Sequence, residues 1–346
     1  MKNNPLGLNG IEFVEFSSPR PEELEVLFQS LGFSHHQEHQ KNNVKLYQQG
    51  EINFLLNNRP GSFAESFYKD HGPCVPSMGW RVEDAAYALK HAVLRGAIPV
   101  VNTDYQYKGQ NLPAIEGIGG SLIYFIDEKN TKNLYSDLGF TKSKNPIHVE
   151  DKGFIRIDHL TNNVYKGMMA EITAFYKNVF GFTEIRYFDI RGIKTGLTSY
   201  ALRSPCEKFA IPINEGTERK SQINEYLDDY KGPGVQHIAL LSDNLLKSLS
   251  LLESSKIETL DIDNDYYNEV FKRVPNVTES HEDIQKRNVL VDGDDEGYLL
   301  QIFTKNVIGP IFFEMIQRKD HHAFGEGNFG ALFRAIERDQ EKRGYL

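Results

Sequence analysis

Apolar and polar residues alternate along Ile11-Glu12-Phe13-Val14-Glu15-Phe16, the period-two pattern of a strand. Leu24, Leu27, Phe28 and Leu31 then recur at helical spacing, and Gly32-Phe33 closes the segment, glycine being suited to the turn that ends a helix. The same order returns later. Phe154-Ile155-Arg156-Ile157-Asp158-His159-Leu160 reads as a strand, Met168, Ile172, Phe175, Tyr176 and Val179 as a helix face, and Gly181-Phe182 as its end. A second pair of segments repeats the first. Met78 to Asp84 leads into a helix marked by Ala88, Leu89, Ala92 and Val93, and Val235 to Asp243 leads into one marked by Leu245, Leu249 and Leu252. Asp84 and Asp243 are placed to cap these helices.

This repetition predicts an α+β chain of four modules, each a strand, a helix and several strands, paired into two domains. Polar stretches with Pro and Gly, Lys142 to Pro146 and Glu150 to Gly153, put the boundary near residues 140–153, giving domains 1–150 and 151–346. Phe329, Leu332, Phe333 and Ile336 give the last stretch one apolar helical face, and a pocket mouth is a candidate for what it covers.

Composition narrows the classes. With 346 residues, 40% of them hydrophobic and 25% charged, the chain matches a globular protein of two ordinary domains. Cys74 and Cys206 are the only cysteines, which excludes a disulfide framework and suits a reducing compartment. The net charge of −9 comes without a basic stripe, so no nucleic-acid partner is expected. No apolar run is long enough to span a bilayer and the start lacks a secretory pattern, so the expectation is a cytoplasmic protein with no membrane partner.

Several motif matches fail on context. Gly325-Glu326-Gly327-Asn328-Phe329-Gly330 has the spelling of a dinucleotide loop, but too little chain follows for a second strand. His35-His36-Gln37-Glu38-His39 has the spelling of a zinc helix, yet it follows a helix end, so a solvated polar turn is expected. Asp261, Asp263 and Asp265 begin like a calcium loop, but Tyr266 and Lys272 stand where Gly and a bidentate Glu are required. His321-His322 is read as loop rather than ligand.

With the repeat as a ruler, three residues stand out. His159 lies in the first strand of the third module, His237 in the corresponding strand of the fourth, and Glu314 within the apolar run Ile311 to Ile316. Each alone also fits a satisfied core or pocket side chain. Together they contrast with the first half, which has Glu15 near the place of His159, Met78 near that of His237, and no acidic residue from Ser121 to Ile126. Two imidazoles and a carboxylate suit a non-haem Fe(II) site with open positions, confined to the second half.

At these residues the chain resembles the 4-hydroxyphenylpyruvate dioxygenase family of the vicinal oxygen chelate superfamily, and in particular its bacterial, pigment-associated members. The resemblance rests on Ile157 to Leu160, Pro212 to Glu215, Lys220 to Ile223, Gly234 to Leu240, Leu299 to Lys305, Phe313 to Arg318 and Phe324 to Phe329, in order and at compatible spacing. It implies paired βαβββ modules, a first domain that is structural, and a C-terminal domain forming an open barrel closed by a helix over 328–343. It implies His159, His237 and Glu314 as ligands of one Fe(II) per subunit. It implies Ser199, Asn214, Gln222, Gln236 and Gln301 as polar catalytic positions, and Phe303, Phe312, Phe324, Asn328, Phe329 and Leu332 as the substrate pocket. The implied reaction takes 4-hydroxyphenylpyruvate and O₂ to homogentisate and CO₂ in tyrosine and phenylalanine catabolism, in a dimer or tetramer. The alternatives are hydroxymandelate synthase, an extradiol ring-cleaving dioxygenase, and a metal-free binding module on the same repeat.

Overall fold

The alternating runs become two large mixed sheets in a computed structural model that describes residues 4–39, 41–107 and 109–346. The first sheet has nine strands, in the order 141–147, 34–39, 44–49, 52–57, 8–17, 74–82, 122–127, 114–116, 99–100. The second has eight, in the order 183–191, 196–203, 210–216, 154–164, 234–242, 312–319, 298–303, 290–293. In each, the opening strand of one module pairs antiparallel with the opening strand of the next, and parallel with the last strand of its own module. Leu8–Ser17 does so with Cys74–Val82 and Ile52–Asn57, and Phe154–Val164 does so with Gly234–Ser242 and Ala210–Gly216. The repeated wiring of the two sheets is the four-module plan.

The helix ends follow their residues. Gly32 and Gly181 stand at φ 90° and 81°, and Phe33 N–H reaches back to the Phe28 carbonyl. A left-handed residue there lets the chain reverse and satisfies a carbonyl left over at the helix end. Asp84 caps helix Ala85–Leu94 by accepting from Tyr87 N–H. In the fourth module the cap is Asn244, one residue beyond Asp243, and it accepts from Lys247 N–H. Asn and Asp cap equally well, so the pattern left the register open by one. The predicted polar turn at His35–His39 is instead the strand Ser34–His39, held between Val44–Gln49 and Thr141–Ile147, with His35 buried.

The two sheets share one core. Trp80 of the first packs against Phe180, Phe182 and Phe209, which lie in the segments leading into strands of the second, at centroid distances of 4.7, 6.1 and 5.3 Å. Phe54 stacks on Phe313, which sits on the back of the strand carrying Glu314. Burying such rings is worth roughly 2–3 kcal/mol each, so the first half buttresses the strands of the second. No helix among the described residues is long and apolar enough to cross a membrane.

Candidate metal centre

Three adjacent strands converge on one point. Ala239 pairs with His159 on one side and with Glu314 on the other, and His237 lies two residues back on the same strand face. A small residue between the two ligand strands leaves room for their side chains to meet. Pairing slips between Ile157 and His159, and again between Thr161 and Asn162. Such irregularities re-aim side chains. His159 Nε2 lies 3.1 Å from Glu314 Oε2. His237 Nε2 lies 3.4 Å from that oxygen and 3.4 Å from His159 Nε2.

The donor set fits one metal ion. Donors bonded at about 2.1 Å and at right angles would sit about 3 Å apart, close to the triangle observed. Both imidazoles have Nδ1 engaged elsewhere, which turns Nε2 toward the centre. His159 Nδ1 faces Asp158 Oδ2 at 2.8 Å, and His237 Nδ1 faces Gln236 Oε1 at 3.0 Å. An outer partner on Nδ1 fixes the ring and its tautomer. Asp158 is held in turn by Arg318, whose Nε and Nη2 each donate at 2.8 Å.

Charge in the centre is tightly coupled. Burial would raise Glu314, but the His159 imidazolium outweighs it and holds the carboxyl down to about 2. Burial would lower His159, but the Glu314 and Asp158 carboxylates raise it to about 9. Burial dominates at His237 and lowers it. Asp158, opposed by burial, is held far below the carboxylate range by Arg318 and His159. Carboxylates facing imidazoles are a charge arrangement that also favours a bound cation, which would take the Nε2 lone pairs in place of a proton.

A cavity opens onto the three candidate ligands. Ser199, Asn214, Gln222, Gln236, Gln301, Phe303, Phe312, Phe324, Phe329 and Leu332 all line it. Phe312 stacks on His237 at 4.8 Å, and Phe324 meets His159 edge-on at 5.5 Å. Gln301 is fully buried and both its amide atoms lack a partner among the described residues, which marks an amide awaiting a ligand. Asn328 does not line the cavity. It is buried beneath the start of helix Phe329–Lys342, where its Oδ1 accepts from the Tyr266 hydroxyl at 2.6 Å and from Arg273 at 3.3 Å. The helix begins at Phe329, one residue later than the resemblance implies, and Asn328 fastens its foot through Oδ1, while its buried Nδ2 has no partner among the described residues. Thr161, Phe188, Ile190, Leu197, Phe333 and Ile336 also line the cavity. Of these, Phe333 and Ile336 were visible as part of the apolar helix face; the strand residues carried no signal of their own.

The terminal helix covers the mouth and is pinned at its middle. Glu337 is buried and accepts from the backbone N–H groups of Ile193, Lys194 and Thr195 at 3.1, 3.0 and 3.0 Å. Further along, Gln340 donates to Glu225 at 2.8 Å.

Paired modules with a buried two-histidine, one-carboxylate centre define a metal-site protein of the glyoxalase, bleomycin-resistance and dioxygenase superfamily, whose family model matches residues 156–301. A second family model, described as the N-terminal part of hydroxyphenylpyruvate dioxygenase, matches residues 2–141. The chain belongs to the 4-hydroxyphenylpyruvate dioxygenase family. It is 44% identical to the 4-hydroxyphenylpyruvate dioxygenase of Legionella pneumophila strain Corby, over 99% of this chain and 98% of that one. It is 53% identical to the protein MelA of Shewanella colwelliana, over 100% of this chain and 99% of that one. A mutant 4-hydroxymandelate synthase from Streptomyces coelicolor shares the fold, with a TM-score of 0.84 at 23% identity, over 97% of this chain and 100% of that one.

Proposed function

We propose that the chain converts 4-hydroxyphenylpyruvate and O₂ to homogentisate and CO₂, with Fe(II) held by His159, His237 and Glu314. The observation that carries this is the buried triangle of three donors at the floor of an aromatic-walled cavity that also holds an unpartnered amide. Fe(II) held by these three residues would supply O₂ activation and a Lewis-acid anchor for the 2-oxo acid of the substrate. The protein supplies position and dryness. Asp158 and Gln236 engage Nδ1 of the two imidazoles, fix the rings in direction and leave each Nε2 facing the centre. Phe303, Phe312, Phe324 and Phe329 wall the cavity and exclude water from the reacting ring. The Gln301 amide can both donate to and accept from a phenol or an oxo acid, and Asn214 and Ser199 offer further polar contacts on the facing strands. Leu332 and Ile336 close the apolar side from the terminal helix. Homogentisate, a hydroquinone, oxidises and polymerises in air, so pigment would follow from the product.

Oxygen uptake with 4-hydroxyphenylpyruvate, before and after chelation and with product identified by chromatography, tests this reading. Chelator-sensitive uptake with stoichiometric homogentisate is expected. 4-Hydroxymandelate as the product would assign the side-chain hydroxylation instead, and uptake with a catechol but without the oxo acid would assign ring cleavage.

A further inference from the structure

A second cluster of ligand-type residues lies beyond the cavity, at the foot of the terminal helix. Asp292 stands near the end of the edge strand Leu290–Gly293, His321 in the loop after strand Phe312–Lys319, and Glu326 in the turn Glu326–Asn328 that leads into the helix. One donor atom from each lies within 4.8 Å of the others. His321 is nine-tenths buried, its Nδ1 is turned toward Asp294 Oδ2 at 3.5 Å, and its buried Nε2 has no hydrogen-bond partner among the described residues. A buried ring nitrogen without a partner is uncommon, because its lone pair or proton loses water and gains nothing. The carboxylates are only loosely committed. Asp292 Oδ2 accepts from Gly327 N–H at 3.0 Å, and its Oδ1 lies 3.7 Å from Arg273 Nη2. Glu326 Oε1 accepts at 3.1 Å from Arg186, itself a largely exposed side chain. Ion pairs of that kind contribute little and yield readily.

We propose that Asp292, His321 and Glu326 form a second cation site, distinct from the His159, His237 and Glu314 centre, for a borderline divalent ion such as Zn²⁺. One imidazole and two carboxylates are a donor set that Zn²⁺ accepts, leaving a fourth position for water. Bonds of about 2.0–2.1 Å would draw the donors to about 3.3 Å apart. The site joins three segments: the sheet edge, the loop 320–326 and the start of the helix. That loop carries Phe324, which packs on His159, and its carbonyls at His321 and Ala323 accept from Arg318 at 3.1 and 2.6 Å. An ion bound there fastens the loop and the helix foot over the cavity without touching the reacting groups.

Zinc uptake by the metal-stripped full chain, counted by equilibrium dialysis and atomic emission, tests this. Wild type is expected to take up two Zn²⁺ per chain, and the double variant His237→Ala/Glu314→Ala one. His321→Gln is expected to take up one, held at the main centre. Asp292→Asn, which can still accept from Gly327, gives an independent reading should His321→Gln fold poorly, with circular dichroism as the control. Amide hydrogen exchange over 321–328 in the double variant should slow at least tenfold on adding Zn²⁺. A wild-type count of one, or two ions retained by both His321→Gln and Asp292→Asn, overturns the site. One ion bound with unchanged exchange overturns its fastening role.

Discussion

Arg318 grips Asp158 with two parallel bonds of 2.8 Å, and Asp158 in turn takes the Nδ1 of His159 at 2.8 Å. The same guanidinium gives its Nη1 donors to the loop bearing Phe324. One side chain therefore sets both the direction of a metal ligand and the place of the ring above it. The fork requires arginine, since lysine offers a single point of charge. Arg318→Lys should weaken metal retention by about 10–100-fold, the usual effect of losing a ligand's outer partner. Chelator competition, read as the midpoint of metal loss, measures this; an unshifted midpoint would show that Asp158 is held adequately without the fork.

Gln301 offers a sharper probe of substrate contact. Its amide is buried and unpartnered beside the ligands, and the close approach of Gly325, at φ 79°, leaves it little room to turn away. Gln301→Leu keeps the volume and removes both polar atoms. Turnover should fall by roughly tenfold or more, with metal content unchanged, because an unmade bond to a buried polar partner costs about 1–3 kcal/mol. Equal kcat and KM in the variant would make Gln301 a packing residue.

Much of this was readable from the chain, and the gaps have physical causes. The repeat was legible because each module must bury one sheet face and one helix face, which fixes the apolar spacing. The candidate ligands were legible because, at matching places of the repeat, two imidazoles and a carboxylate stand in the second half only. Their counterparts in the first half were placed a residue or two away from where pairing puts them. Gly79 corresponds to Ala239, and its neighbours are Phe13 and Tyr124, while Ser77 takes the place of His237. Bulges in both opening strands shift the count. A Cβ at Gly79 would run into the Phe13 ring, and Phe13, Tyr105 and Tyr124 pack together there, so aromatic rings fill the volume that the second half leaves for a metal. The Asp158 and His159 contact was not legible at all. Neighbours in a regular strand point to opposite faces, and only the local irregularity brings these two together.

The first half keeps a buried carboxylate, Glu15, among Asn57, Ser77 and Tyr105. Burial, with the Asp104 carboxylate second, raises its carboxyl to about 7 from 4.5. A group that holds its proton more firmly folded than unfolded contributes its full stability below the unfolded value and loses it as pH rises through the folded one. Stability should therefore decline between about pH 4.5 and 7, by about 3 kcal/mol at most for this group. Glu15→Gln, which stays neutral, should unfold at a higher temperature than wild type at pH 8 and show no such advantage at pH 4.5. Parallel melting curves for the two proteins across that range would contradict the assignment.

Glu337 makes the closing helix testable apart from the chemistry. Its carboxylate satisfies three consecutive backbone N–H groups and the Thr195 hydroxyl, at 3.0 to 3.1 Å, in the turn between strands Thr183–Arg191 and Gly196–Arg203. The partner turn presents Gly192, where a Cβ would press on the Glu337 carboxylate and the Phe333 ring. Glu337→Ala strands those donors at about 1 kcal/mol or more each where they stay buried, so the helix should spend more time away from the mouth. The metal ligands lie on the sheet, outside this contact. KM for substrate should rise several-fold and protease cleavage near the terminal helix should quicken, while metal content stays at the wild-type value. Glu337→Gln, keeping one acceptor oxygen, should fall between the two. Loss of metal in step with the rise in KM would mean that the helix supports the centre itself and not only its cover.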